Sequence, residues 1–288
     1  MSGRPDFICI GAQKAATSWL YNALSLTQGV FLSAIKELHY FSEQSMPKVQ
    51  AWAHDYRREQ VNQITNNLSS TAEGGIYLKQ LLPQLEHITS LPQDDSWYRK
   101  IFQYAHAQDI CGEISPSYLS LPAPGIKHAL SINPNIKILA LLRDPVERAW
   151  SHIRMHINYD KLNIDLETFH QNDYELYPFL NYSNYAKHLA NWKSLVGHDK
   201  LKMVLFDDIN DNPQAALADI LEWIGVQRTE QLPAVDQIIF PGVSAPIPQQ
   251  LHAKLYKDLQ PQYDYLSTLF PAQTQRWVSR HTHLLNAR

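Results

Sequence analysis

Short apolar runs and longer amphipathic stretches alternate along this chain. Residues 6–10, 136–142 and 201–206 are apolar runs of strand length, and 29–32 and 109–113 are shorter runs of the same kind. Between them, apolar residues recur at three- and four-residue intervals. That spacing predicts helices near 17–26, 145–158, 183–197, 213–224 and 248–259. Strands separated by helices argue for a parallel sheet covered on both faces. The pattern therefore predicts an α/β chain with a central, mainly parallel sheet of about five strands flanked by helices. Residues 43–105 interrupt it. They are polar and aromatic, with breaks at Asn66-Asn67, Ser69-Ser70 and Gly74-Gly75, and read as a helical insertion above the sheet. Residues 240–248 are rich in breakers and read as an irregular loop within a helical C-terminal part, 227–288. There are no repeats, and residues 1–288 read as one domain.

The first strand carries the first candidate chemistry. Phe7-Ile8-Cys9-Ile10 runs into Gly11-Ala12-Gln13-Lys14-Ala15-Ala16, and a helix opens at Thr17-Ser18 with Trp19, Leu20, Ala23 and Leu24 on one face. A strand that turns through small residues into a helix N-terminus is an anion site. The first helical N–H groups lack partners there and the helix dipole favours negative charge. Lys14 adds a full positive charge, and Thr17 and Ser18 add hydroxyl donors. The spacing is not that of the common NTPase loop, in which Lys directly precedes the hydroxyl residue. It is also not a dinucleotide fingerprint. A second strand, 136–142, ends in Arg143-Asp144-Pro145. Asp144 suits a helix cap and Pro145 a first helical position. Arg143 is thereby placed at the carboxyl end of a strand, where open α/β sheets bind ligands, with Ser151 two turns into the next helix.

The pattern G-x-x-K-x-x-T-[ST]-x-L at residues 11–20 resembles the 5′-phosphosulfate loop of the sulfotransferases. Arg143-Asp144-Pro145-Val146-Glu147-Arg148-Ala149-Trp150-Ser151 is similar to their 3′-phosphate motif. Lys36-Glu37-Leu38-His39-Tyr40-Phe41 and Gly112-Glu113-Ile114-Ser115-Pro116-Ser117-Tyr118 resemble two further segments of the same family. Trp97-Tyr98 with Phe102, and the stretch from Tyr185 to Val226, also run with it. The resemblance covers most of residues 5–226 and is nearest to the heparan sulfate glucosamine sulfotransferases and their bacterial relatives. It implies a P-loop-like three-layer fold and 3′-phosphoadenosine-5′-phosphosulfate (PAPS) as sulfuryl donor, leaving adenosine 3′,5′-bisphosphate as product. It implies that Ala12, Gln13, Lys14, Ala15, Ala16, Thr17 and Ser18 hold the phosphosulfate, and that Arg143 and Ser151 grip the 3′-phosphate. It also implies Glu37 as general base, tuned by Lys36 and His39. Ile114 stands where heparan-type members carry Lys.

Composition narrows the partners. The 288 residues are 44% hydrophobic and 18% charged, with a formal net charge of -3, which fits a globular chain without a general grip on nucleic acid. No apolar run is long enough to span a membrane, the first six residues are no signal peptide, and the expected location is cytoplasmic. Cys9 and Cys111 both fall in strands and read as buried free thiols. His152 and His156 lie four apart on a helix. Without an adjacent Glu they read as packed or solvated rather than as metal ligands. His281 and His283 read as a frayed tail.

Sulfuryl transfer needs positioning, a base, and positive charge on the leaving oxygen, and no carboxylate cluster points to a metal. Lys14 suits the leaving oxygen. Glu37 is the expected base, with His39 as the alternative because an unperturbed His titrates near neutral pH. Lys36 and Glu113 are expected at the acceptor. The leading expectation is transfer from PAPS to a hydroxyl or amine, foremost of a carbohydrate, by a monomer or homodimer. A small-molecule or lipid alcohol is the alternative acceptor. The competing readings are a P-loop-like kinase using ATP and Mg²⁺ and a catalytically inert nucleotide-binding module.

Overall fold

The computed structural model describes residues 3–70, 72–159, 164–226, 233 and 245–287. Strand β1 (Phe7–Gly11) leads through helix α1 (Thr17–Ser25) to β2 (Val30–Leu32). An inserted group follows: α2 (Tyr40–Ser45), α3 (Pro47–Gln50), α4 (Ala53–Ser69), α5 (Ala72–Ile88) and α6 (Asp95–Ile101). The chain then returns to the sheet as β3 (Ile110–Ile114), α7 (Ala123–Ile132) and β4 (Lys137–Leu142). Helices α8 (Pro145–Tyr159), α9 (Asp173–Tyr182) and α10 (Tyr185–Leu195) precede β5 (Leu201–Leu205). Five helices close the chain: α11 (Phe206–Asp211), α12 (Pro213–Ile224), α13 (Gln249–Asp258), α14 (Gln260–Ser267) and α15 (Pro271–Asn286). The predicted loop at 240–248 falls outside the described residues from 240 to 244.

The five strands form one sheet in the order β2-β3-β1-β4-β5, with every neighbouring pair parallel. β1 is its centre. All four residues Phe7, Ile8, Cys9 and Ile10 are buried, so both faces of the strand must be covered, as a parallel sheet requires. Burial pushes the Cys9 and Cys111 thiols up to about 12, and both are free. β1 and β4 lie side by side, yet the chain leaves β1 towards β2 and leaves β4 towards β5, in opposite directions across the sheet. This is a topological switch point, and the crevice it opens lies at the carboxyl ends of the two strands.

Two glycines permit the close approaches that build this centre. Gly11 leaves β1 with φ +119°, and a Cβ there would stand 2.6 Å from the Pro116 carbonyl oxygen. Gly112 lies under the Phe7 ring, whose nearest atom would be 2.0 Å from an added Cβ. The insertion is fastened by Arg57 of α4, which is fully buried. Its Nη1 donates to the Leu38 carbonyl at 2.7 Å, and its Nη2 donates to Glu43 Oε2 at 2.7 Å and to Gln93 Oε1. Arg57 thus ties α4 to the segment 36–43. Among the described residues, no helix is long and apolar enough to cross a membrane.

Gly112→Ala should force the Phe7 ring out of its place and cost about 1–3 kcal/mol of stability. Thermal unfolding checks this. Adding Phe7→Leu, which removes the clashing ring, is expected to restore part of the loss.

Candidate active site

Three segments converge beyond the carboxyl ends of the strands: the turn after β1, the segment after β2, and the start of α8 after β4. The first meets the third directly. The Arg143 guanidinium donates from Nη1 to the Lys14 carbonyl at 3.2 Å. It also lies over the Phe206 ring, 4.5 Å from its centroid, and 3.6 Å from Glu147 Oε2. The Tyr185 hydroxyl donates to the Arg143 carbonyl at 3.0 Å and so fixes its backbone. The second segment is sewn to β3, where the Glu37 N–H donates to the Ile114 carbonyl at 3.0 Å. The Phe41 N–H donates to the Tyr118 hydroxyl at 3.3 Å.

Both turns hold left-handed backbone at residues that are not glycine. Lys14 has φ 69° and Ala16 φ 67°; Glu37 has φ 65° and His39 φ 57°. Each such residue carries a cost of about 1–2 kcal/mol that the surrounding structure must offset. α1 begins immediately after Ala16, which offers no side-chain cap to the first N–H groups of the helix. Ala12, Ala15 and Thr17 are buried, while Gln13, Lys14, Ala16 and Ser18 are half-buried at the crevice. Gln13 Oε1 is buried with no hydrogen-bond partner among the described residues.

The electrostatics of the crevice are lopsided. Burial lowers the pKa of the Lys14 ammonium, and repulsion from Arg143, Lys36 and Arg154 lowers it further, against the attraction of Glu37. Burial also lowers Arg143. Four cations therefore lie close to one another, with Glu37 facing Lys14 and Glu147 and Asp144 beside Arg143. Arg154 was not among the expected residues. It falls three positions after Ser151 on α8, so the helical periodicity of that motif holds the signal for it. Ser151 itself is half-buried on α8.

Glu37 is one-fifth exposed. Burial alone would raise its carboxyl. Lys36, His39 and Lys14 outweigh that and hold it below the usual range, so it is ionised at neutral pH. Lys36 Nζ donates to Glu37 Oε1 at 2.5 Å, and this cation is therefore engaged by the carboxylate rather than presented alone to an acceptor. His39 Nε2 lies 3.5 Å from Glu37 Oε2, and His39 Nδ1 lies 2.9 Å from the Ser117 hydroxyl. Burial pushes His39 down to about 4 despite the attraction of Glu37, so the ring is neutral and can orient the carboxylate. Glu113 faces the protein interior. It is 2% exposed and accepts from the hydroxyls of Tyr98 (2.5 Å), Ser115 (2.7 Å) and Tyr118 (2.7 Å). Burial holds its carboxyl above the usual range. With its described oxygens occupied from within, it braces the segment after β3 and contacts neither Lys14 nor the crevice.

Two histidine readings are settled by packing. His152 and His156 face one another with their Nε2 atoms 3.1 Å apart, and His152 Nδ1 lies 3.5 Å from the buried Arg148 guanidinium. Burial and the Arg148 charge push His152 down to about 2. Among the described residues, no group of three or more His, Cys, Asp or Glu could hold a metal ion. The expected frayed tail is instead helix α15, and His281 is fully buried within it. His281 Nε2 lies 2.8 Å from Asp144 Oδ2 and His281 Nδ1 lies 2.8 Å from His252 Nε2. Arg280 donates to the same Asp144 oxygen at 2.9 Å, and the Tyr263 hydroxyl donates to Asp144 Oδ1 at 2.9 Å. The capping carboxylate of α8, next to Arg143, is thereby the anchor of the C-terminal helices. Apolar spacing at three- and four-residue intervals could not reveal a partner that lies 137 residues away.

His39 and His152 have folded pKa values of about 4 and about 2, both below the ordinary 6.5. The unfolded chain therefore takes up protons first, and the stability present above 6.5 is lost as pH falls towards those values. Urea unfolding is expected to give a lower midpoint at about pH 5 than at about pH 7. His152→Gln should narrow that difference. An unchanged difference would remove His152 from this account.

Comparison with known proteins follows the same lines. The family model described as the sulfotransferase family matches residues 5–230. Among solved structures, a sulfotransferase from Alicyclobacillus acidocaldarius superposes with a TM-score of 0.65 at 20% identity, covering 92% of this chain and 95% of its own. The sulfotransferase domain of the curacin biosynthetic pathway gives 0.55 at 16% identity, over 81% and 78% of the two chains. The sulfotransferase domain of the Synechococcus PCC 7002 olefin synthase gives 0.53 at 18% identity, over 96% and 88%. At these identities the superpositions speak for the shared fold, and the family match extends over most of the chain, including the three converging segments. This chain belongs to the sulfotransferase family.

Proposed function

We propose that this protein transfers a sulfuryl group from PAPS to a hydroxyl or amine, foremost of a carbohydrate, and releases adenosine 3′,5′-bisphosphate. The observation that carries the reading is the contact of Arg143 with the Lys14 turn at the switch point. It sets two cations and an uncapped helix N-terminus around one crevice. A nucleotide with phosphate groups at both ends of its ribose needs two such anchors. The donor set fits: the half-buried turn 12–18 offers N–H groups and Lys14 to the 5′ end, and Arg143 with Ser151 offers a guanidinium fork and a hydroxyl to the 3′ end.

In the proposed reaction an acceptor oxygen or nitrogen attacks sulfur, and the bond from sulfur to the bridging phosphate oxygen breaks. The acceptor proton passes to Glu37, and Lys14 offsets the charge that grows on the leaving oxygen. Glu37 suits this part because it is ionised, partly exposed and held between Lys36 and neutral His39. His39, neutral and bonded to Ser117, fits the orienting role better than that of the base. A kinase reading would call for a Lys directly before the hydroxyl residue of the turn, and Lys14 lies three positions before Thr17.

Thermal unfolding with adenosine 3′,5′-bisphosphate tests the donor site. Ligand at a hundred times its dissociation constant stabilises by about 2.7 kcal/mol, a shift of roughly 5–10 °C for a chain of this size. The shift should be independent of Mg²⁺ and absent in Arg143→Ala. A shift with ATP and Mg²⁺ alone would overturn the reading. Glu37→Gln should keep the shift and lower turnover by about 10²–10⁴-fold; normal turnover in that variant would sink the assignment of the base.

A further inference from the structure

Aromatic side chains from the start of α4 pack on His39, the neighbour of Glu37. The Trp52 ring lies edge-on to the His39 ring with centroids 4.9 Å apart, and the Tyr56 ring does the same at 5.1 Å. Trp52 and Tyr56 touch one another at 6.0 Å. Burial raises the Tyr56 phenol, and the Glu37 charge raises it further, so it stays protonated. The Tyr56 hydroxyl donates to the Lys36 carbonyl at 3.4 Å, which ties α4 to the residue beside Glu37.

Trp52 is 42% exposed. A large ring left that open, one histidine away from Glu37, is a surface available to whatever the carboxylate meets.

The charge around these rings is equally informative. Residues 43–105 hold seven carboxylates against six Lys and Arg. The two arginines of α4 are engaged: Arg57 is buried on Leu38 and Glu43, and Arg58 lies 3.7 Å from Asp55. The cations of the crevice lie on the donor side, at Lys14, Arg143 and Arg154, while Lys36 is bonded to Glu37. A polyanionic acceptor would meet the rings and the Glu37 carboxylate where it needs cations.

We propose that Trp52 and Tyr56, packed on His39 beside Glu37, form an aromatic clamp for an uncharged hydroxyl compound with a flat apolar face. The inference rests on the sulfotransferase reading above and adds the class of acceptor. The apolar face lies on Trp52, which aligns the acceptor hydroxyl towards Glu37, and Tyr56 backs the Trp52 ring. A sugar ring offers such a face through its C–H groups and an aryl alcohol through its ring. The shared chemistry is the same in both.

The test is calorimetric binding to the protein loaded with adenosine 3′,5′-bisphosphate, using benzyl alcohol, methyl glucoside and N-desulfated heparin as probes. At least one uncharged probe should bind, and Trp52→Ala should weaken it about tenfold or more. Trp52→Phe, which keeps a flat ring, should stay within about threefold. Affinity for the bisphosphate should be unchanged in both variants, which also reports that they fold. The two uncharged probes distinguish an aryl body from a sugar face. Binding of the heparin alone, no binding of either uncharged probe, or equal binding by Trp52→Ala would overturn the clamp. Absence of any bisphosphate effect on the parent protein would instead strike the donor reading, so the two failures are separable.

Discussion

The hydrogen bond from the Arg143 guanidinium to the Lys14 carbonyl joins the two halves of the sheet into one site. It exists because β1 and β4 are neighbours in parallel register, with Cys9 beside Leu139 and Gly11 beside Ala140. Their carboxyl ends therefore open on the same edge. Two cations at that edge repel, and burial deepens the repulsion. The protein holds them together with groups that have no part in chemistry: the Tyr185 hydroxyl on the Arg143 carbonyl, the Phe206 ring under the guanidinium, and Asp144 capping α8. Glu147 beside Arg143 and Glu37 near Lys14 offset part of this charge.

Supporting layers lie behind the reactive groups. Asp144 accepts from two backbone N–H groups of α8, a tyrosine and an arginine, and lies against a histidine, so the C-terminal helices are tied to the residue next to Arg143. Burial would raise that carboxyl. His281 and Arg280 outweigh it and keep it ionised. Glu113 has the opposite fate: three hydroxyls surround it and burial wins. Two buried carboxyls are thus shifted in opposite directions, because Asp144 has Arg280 and His281 in direct contact while Glu113 is met directly by hydroxyls. The left-handed backbone at Lys14, Ala16, Glu37 and His39 belongs to the same design, since its cost is tolerable only where the surrounding contacts leave no alternative.

Much of this was legible along the chain. The strands fall within a residue or two of the apolar runs, because a strand buried on both faces must be apolar throughout. The helix at 123–132 was not foreseen: it opens on Pro122-Ala123-Pro124-Gly125, a turn signal that here forms a first helical turn, where proline is tolerated. Lys14, Glu37 and Arg143 could be found because each sits in a short motif whose local geometry is fixed by a strand end. Arg154 was within reach of helical periodicity. Trp52 and Tyr56 were not, for their insertion lacks a repeating pattern that says which face meets the sheet.

The sequence by itself determined the alternation of strands and helices, the strand-turn-helix that carries Lys14 and the family, since all three depend on residues close together in the chain. Only the tertiary structure decided that Lys14 and Arg143 touch, that Glu113 turns inward, that His281 is an anchor, and which aromatic rings pack on His39 beside Glu37. Those facts depend on partners separated by up to 137 residues. Burial and charge acting across such distances are properties of the packed molecule, and no local pattern encodes them.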